Sequence, residues 1–103
     1  MKKAKVFVNG DPAGVLEEIE RGKRYRFVYF ENYKGSAVSL TMPTNKRIYE
    51  YDHFPSFFEG VLPEGMMLEA LLRQTKIDRH DLMGQLVTVG ADLVGNVTVE
   101  KMP

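Results

Sequence analysis

Two histidines, a glycine pair and one basic, aromatic strand are the groups in this 103-residue chain that could do chemistry. His53 and His80 could each ligate a metal ion or transfer a proton, but neither has a partner at i+3 or i+4 that completes a convincing ligand set. The acids beside His80, which are Asp78 and Asp81, are better explained as acids at the positive start of a helix. We therefore predict no metal site.

The glycine pair lies in residues 90–95 and resembles the start of a phosphate-binding loop. Such a loop needs Lys and Ser or Thr directly after the second glycine, whereas Asn96 and Val97 follow here. The segment also lies between a predicted helix and a predicted strand, which is the reverse of the order that a phosphate loop uses. We interpret it as a helix-to-strand turn and expect no bound cofactor.

Other catalytic equipment is missing from the sequence as well. The chain has no cysteine, which excludes a thiol nucleophile, a thiolate metal site and a disulfide. It has no Gly-x-Ser-x-Gly motif and no kinase-like pattern of lysine and loop residues. We predict a protein without catalytic residues that works by binding another protein.

Residues 21–30 interleave basic and aromatic side chains, as a nucleic-acid platform would. One strand of an amphipathic sheet gives the same pattern. Lys plus Arg and Asp plus Glu both number 14, so the net charge is zero and global attraction to nucleic acid is not expected. We expect no direct nucleic-acid contact, or only weak contact within a complex, and a small nucleic-acid binder that uses residues 21–30 stays open as an alternative.

Length and composition fit one compact domain over residues 1–103, with 44% hydrophobic and 27% charged residues. The apolar stretch after the basic start of the chain, residues 6–8, is too short for a signal peptide. No stretch approaches the length of a membrane span. We expect a cytoplasmic protein that does not interact with a membrane.

The hydrophobic pattern predicts strands first, then helices, then a closing strand. Alternating or β-branched stretches predict strands over residues 4–9, 24–30, 37–42 and 95–100, with turns at 10–12 and 21–23. The apolar spacing of residues 14–20 fits either a strand or a helix, and we favour a strand because the turn at 21–23 leads into an unmistakable one. Residues 44–53 are predicted to form a polar loop. The fold class expected is a small α+β domain, with two or three helices packed on one face of a mainly antiparallel sheet.

The helices are predicted from a change to helical spacing at Phe57. A second helix is expected to begin with Pro63, because the missing N–H of proline has no partner to lose there. Asp78 and Asp81 are predicted to open a third helix, and Gly90 to end it.

Residues 57–67 are assigned two roles, one in holding the fold together and one in binding a partner. Phe57, Phe58 and Leu62 are interpreted as a wedge that holds the helices to the sheet, because burial of each stabilises by about 1.5–3 kcal/mol. The turn that follows places flexible apolar side chains after a rigid Pro-Glu-Gly sequence, which is typical of adaptable contact surfaces. The predicted partner contact consists of Pro63, Glu64, Gly65, Met66 and Met67.

Four segments resemble the N-terminal subdomain of the HipA family. Residues 54–65 resemble its F-x-x-F-F-[DE]-[NG]-L-L-P-[DE] signature, and residues 38–43 its L-S-L-S-L-P strand. Residues 81–90 are similar to its F-D-L-L-x-x-I-G helix end, and residues 92–99 to its D-x-V-G-A-V-T-L strand. The departures are mild, with Val61 for Leu, Val89 for Ile and Asn96 for Ala.

The resemblance implies a function that composition alone does not. HipA proteins are Ser/Thr kinase toxins whose ATP-binding and catalytic residues lie beyond this subdomain. A separate version resembles HipS, the small subunit that restrains the HipT kinase in HipB–HipS–HipT systems. The Met1 start and short tail favour a separate gene product over a domain cut from a longer HipA.

Two roles follow from that resemblance. The first is a non-catalytic antitoxin subunit that binds and restrains a HipT-like kinase, with a HipB-like helix-turn-helix protein as a possible third component. The alternative is the N-terminal assembly module of a split HipA, which completes the kinase instead of inhibiting it.

Overall fold

The computed structural model describes residues 1–93 and 95–103. Residue 94, which belongs to the segments 90–95 and 92–99 discussed above, lies outside the described residues. The described chain forms a five-stranded antiparallel sheet with strand order β4-β3-β2-β1-β5. The strands are β1 (Lys2–Val8), β2 (Asp11–Glu20), β3 (Arg24–Tyr29), β4 (Ile48–Tyr51) and β5 (Val97–Lys101). The helices are α1 (Ser56–Gly60), α2 (Gly65–Thr75) and α3 (Leu82–Val89), and a 3₁₀ turn at Gly90–Asp92 follows α3. The predicted α+β class is confirmed.

The first hairpin turns one residue earlier than the sequence predicts. Val8 pairs with Asp11, so the turn is Asn9-Gly10 and not residues 10–12. Both turn residues have positive φ, 52° and 83°, as a type I′ turn requires. β2 therefore begins at Asp11. Its register with β1 shifts between Val6 and Phe7, because Ala13, next to Pro12, is an extra residue in β2.

The predicted strand at residues 37–42 is wrong. The segment belongs to a loop that is folded onto the sheet, in which Val38 and Met42 are buried while Leu40 is fully exposed. The buried Tyr29 hydroxyl accepts a hydrogen bond from the Val38 N–H at 2.9 Å and donates one to the Met42 carbonyl. Side-chain hydrogen bonding thus replaces the ladder that the alternation of residue types suggested.

The polar loop predicted over residues 44–53 contains an edge strand. Ile48–Tyr51 pairs antiparallel with β3. The strand is short and contains the exposed Glu50, so a search for hydrophobic alternation does not detect it.

The helix boundaries correct two further expectations. α2 begins at Gly65 with Glu64 as its N-cap, so Pro63 precedes the helix instead of opening it. Asp81 is the N-cap of α3 and accepts from the Gly84 N–H at 2.9 Å, whereas Asp78 lies in the preceding turn. Gly90 does end α3 as predicted, although a 3₁₀ turn continues from it.

One face of the sheet forms the core together with α1 and α3. The largest fully buried side chains are Phe27, Phe58, Leu16, Met42, Met83 and Leu86. Gly90 lets the chain after α3 lie directly on β5, because a Cβ there would sit 2.0 Å from the Val99 carbonyl oxygen. The other face carries a charged row in which Glu17 pairs with Arg26 at 2.7 Å and with Lys3 at 3.5 Å.

Candidate functional site

The predicted wedge residues surround the end of α1. Phe58 is fully buried, with its ring centroid 6.2 Å from that of Phe27 and 5.2 Å from that of Phe57. Leu62 is also buried, but Phe57 is only partly buried against the core. Phe58 and Leu62 therefore face the sheet, while Phe57 lies at the edge of the packed region.

Phe54 is a core anchor that the wedge hypothesis did not include. It is buried, and its ring packs edge-on against Tyr25 with centroids 5.3 Å apart. Its position four residues before Phe58, on the same apolar repeat, is the signal that could have identified it.

The predicted partner contact lies at the exposed N-terminal end of α2. Met66 and Met67 are 88% and 73% exposed, and Glu64 and Gly65 are exposed as well. None of the residues of α2 is buried, although its sequence is amphipathic. The helix thus adds little to the core and presents two large apolar side chains to solvent.

Local bonds hold α2 in place at its far end. Lys76 caps the helix in a left-handed conformation, with its N–H donating to the Leu72 carbonyl at 3.0 Å. Glu69 forms an ion pair with Arg79 at 2.7 Å, which lowers the pKa of Glu69 through that hydrogen bond. The Glu69–Arg79 pair fastens α2 to the loop before α3, whereas within the described residues the side chains of 64–68 form no ion pair or hydrogen bond.

An apolar groove of about 670 Å³ adjoins the exposed methionines. It is lined by the turn after α1, the first turn of α2 and the residues at and after the C-terminal end of α3. These residues are Gly60, Val61, Leu62, Pro63, Glu64, Met67, Val89, Asp92 and Leu93. Three of the five predicted contact residues, Pro63, Glu64 and Met67, line this groove. Gly65 and Met66 lie beside it in the chain.

Sequence reasoning missed the second wall of the groove. Val89, Asp92 and Leu93 are far from the turn in the chain and come to it only because α3 folds back over the sheet. No spacing rule relates the two segments, so only the tertiary structure brings them together.

The N-terminus of α3 is fixed to the sheet by Asp81. Its carboxylate pairs with Lys2 at 3.1 Å and caps the helix through Gly84. Burial alone would raise the pKa of Asp81, but the Gly84 N–H and the Lys2 ammonium outweigh it, and the pKa is lowered. This pairing positions α3, and therefore the second wall of the groove.

The histidines occupy ordinary surface positions. His53 Nδ1 lies 2.7 Å from Asp52 Oδ1, and the backbone N–H of His80 donates to Asp78 Oδ1 at 2.7 Å. Within residues 1–93 and 95–103, no group of three or more metal-binding side chains comes together.

The basic, aromatic strand is arranged as one strand of a sheet. Tyr25, Phe27 and Tyr29 are buried in the core, so their faces are not available for stacking on bases. Arg26 is paired with Glu17, and Arg21 lies 3.9 Å from Asp78. Both of these charges are therefore already matched within the protein.

The fold and the groove define a small α+β module with an exposed apolar helix end. None of the helices in the described part of the chain has the length and apolarity to cross a membrane. The chain belongs to the HipA N-terminal domain family, whose profile matches residues 4–100. This family relation makes it a toxin–antitoxin-related module.

Two individual proteins are similar to this chain over nearly its whole length. A solved structure described as the N-terminal domain of HipA toxin superposes with a TM-score of 0.80 at 26% identity, covering 100% of this chain and 94% of the other. An uncharacterized protein of Haemophilus influenzae is 28% identical over 101 residues, which covers 98% of this chain and 93% of the relative. The chain is therefore comparable in length to both relatives.

Proposed function

We propose that this protein is a non-catalytic antitoxin subunit that binds and restrains a HipT-like Ser/Thr kinase in the cytoplasm. The observation that carries the proposal is the pair of exposed methionines on a helix without buried residues, beside an apolar groove, in a HipA N-terminal domain. Because α2 contributes so little to the core of this protein, its apolar side chains are free to pack against a partner protein.

The energetics of the methionine pair support a binding role. Full burial of a methionine side chain is worth about 1.5–3 kcal/mol, before the ordering cost of association is subtracted. Met66 and Met67 both begin largely exposed, so most of that gain is available to a complex. Methionine also adapts its shape to an irregular partner surface.

The proposed mechanism is obstruction. Phosphoryl transfer depends mainly on the positioning of ATP and the metal ions, so a subunit that disturbs this positioning inhibits the reaction. A subunit docked through residues 63–67 on the N-terminal lobe would restrict closure of the ATP loop or entry of the substrate. A HipB-like helix-turn-helix protein as a third component follows from the family resemblance and has no surface assigned to it.

The test compares Met66→Ser/Met67→Ser with Leu40→Ser as the control. Leu40 is a fully exposed apolar residue outside the groove, so its replacement changes surface polarity without touching the proposed contact. We expect the double variant to raise the Kd for the purified kinase by about 10–100-fold and the control by less than about twofold.

Kinase activity decides whether the bound subunit restrains its partner. Autophosphorylation should fall as the wild-type chain is added and should recover with the double variant. Failure of the chain to bind the kinase, or a complex with undiminished activity, would refute the antitoxin proposal.

The alternative, an assembly module of a split HipA, has one observation in its favour. The chain matches, along its whole length, a structure described as part of the HipA toxin itself. Titration of the chain into the kinase separates the two roles, because a completing subunit raises activity where an inhibitor lowers it.

A further inference from the structure

The groove beside α2 has an apolar floor and an acidic rim. We define its floor as the large apolar side chains that line it, which are Val61, Leu62, Met67, Val89 and Leu93. The charged side chains among its lining residues are Glu64 and Asp92, and both are exposed. No lysine or arginine lines it among the residues that the structure describes.

The positive N-terminal end of α2 offsets part of the charge of Glu64, but no ion pair among the described residues compensates either acid. Six ion pairs with lysine or arginine hold acids such as Glu17, Glu69 and Asp81 elsewhere on the described surface, and Glu64 and Asp92 belong to none of them. Glu64 occupies the N-cap position of α2, but its side chain makes no capping hydrogen bond. The groove is therefore locally negative in a protein whose net charge is zero.

We propose that the groove takes an apolar segment of the partner protein that carries lysine or arginine at its edges. The apolar floor supplies affinity through burial, and the two carboxylates orient the segment and speed its encounter. The inference rests on the proposed function for the identity of the partner, the kinase, but the chemistry of the segment follows from the groove itself.

The first test uses two designed helical peptides with the same apolar positions, one flanked by lysines and one by glutamates. Methyl NMR spectra of the full chain report where each binds. We expect the lysine peptide to shift the methyl signals of Val61, Val89 and Leu93 and to bind at least about tenfold more tightly than the glutamate peptide at low salt.

Variants of the rim test the charge directly. Glu64→Lys/Asp92→Lys should weaken binding of the lysine peptide by about tenfold or more, and Glu64→Gln/Asp92→Asn by a smaller factor. Glu31→Lys/Glu100→Lys is the matched control, since both of these acids are exposed, lie outside the groove and change the net charge equally. It should change the affinity by less than about threefold, because its charges lie outside the groove.

Several outcomes would overturn the inference. Equal binding of the two peptides, methyl shifts outside the groove, or equal effects of the rim and control variants would each do so. A dimer of the chain alone that dissociates in Glu64→Lys/Asp92→Lys would also do so, because a second copy would then be the occupant.

The kinase experiment separates this inference from the proposed function. If the chain does not bind the kinase while the lysine peptide still seats in the groove, the kinase assignment fails and the groove chemistry stands. If the kinase binds with the same affinity to wild type and Glu64→Lys/Asp92→Lys, the groove inference fails and the antitoxin proposal stands.

Discussion

Replacement of Phe58 by alanine removes the ring that joins α1 to the sheet. Phe58 has no exposed surface and contacts Phe27 in β3, so the substitution leaves a cavity between the two layers. Loss of a fully buried phenylalanine costs about 3–5 kcal/mol. A domain of this size has a total free energy of unfolding of about 5–15 kcal/mol, so about a fifth or more of its stability would be lost.

Phe57→Ala is the matched comparison, because the same atoms are removed one position along the chain. Phe57 is only partly buried, so we expect a loss of about 1–2 kcal/mol. Denaturant unfolding followed by far-UV circular dichroism measures both, since the chain has no tryptophan.

The two variants should also differ in partner binding. Phe57 lies at the edge of the packed region near the turn, whereas Phe58 faces inward.

A loss of free energy of unfolding below about 1.5 kcal/mol for Phe58→Ala, or equal losses for the two variants, would refute the assignment of Phe58 as the anchor of α1.

Two further predictions concern groups that hold the loops and α3. The pKa of Asp81 is lowered in the folded protein, so its charge adds to the free energy of unfolding in full above the unfolded pKa, and this addition is lost as the pH falls through the folded pKa. The difference in free energy of unfolding between wild type and Asp81→Asn should therefore close below about pH 4. Tyr29→Phe should cost about 1–3 kcal/mol and speed hydrogen exchange at Val38, because the buried Val38 N–H and Met42 carbonyl lose their partner.

Each of these predictions has a control within the chain. Asparagine still caps a helix, so Asp81→Asn isolates the charge, and Asp81→Ala should cost about 1 kcal/mol more at every pH. A gap that is independent of pH would contradict the assignment. Tyr33→Phe removes a hydroxyl that donates only to the exposed Ser36 carbonyl, so an effect as large as that of Tyr29→Phe would contradict the argument from burial.

The strands with strong local patterns could be predicted from the sequence. Residues 24–29 alternate between core and surface as expected, because aromatic side chains on one face and charged side chains on the other leave a single register. The sequence of residues 37–42 alternates equally well, but its apolar side chains do not share one side. Leu40 points to solvent while Val38 and Met42 are anchored through Tyr29, and no local pattern encodes that contact.

The candidate site could be predicted only in part. Its turn is contiguous in sequence, so residue types alone identified the exposed methionines as a contact hypothesis. The groove has a second wall from the end of α3, about 30 residues later, and the acidic rim appears only when Glu64 and Asp92 line the same groove. A site built from two distant segments is not visible to reasoning about spacing.

The low burial of α2 separates two kinds of evolutionary constraint in this small protein. Substitutions at Phe58 or Leu86 change stability, because these residues build the core. Substitutions at Met66 or Met67 in the first turn of α2 change little that the fold depends on, since both side chains are exposed, whereas Gly65 has a positive φ of 57° that favours glycine. Recognition could therefore diverge rapidly between related proteins while the sheet and α3 stay the same, and a new partner could be acquired without loss of folding.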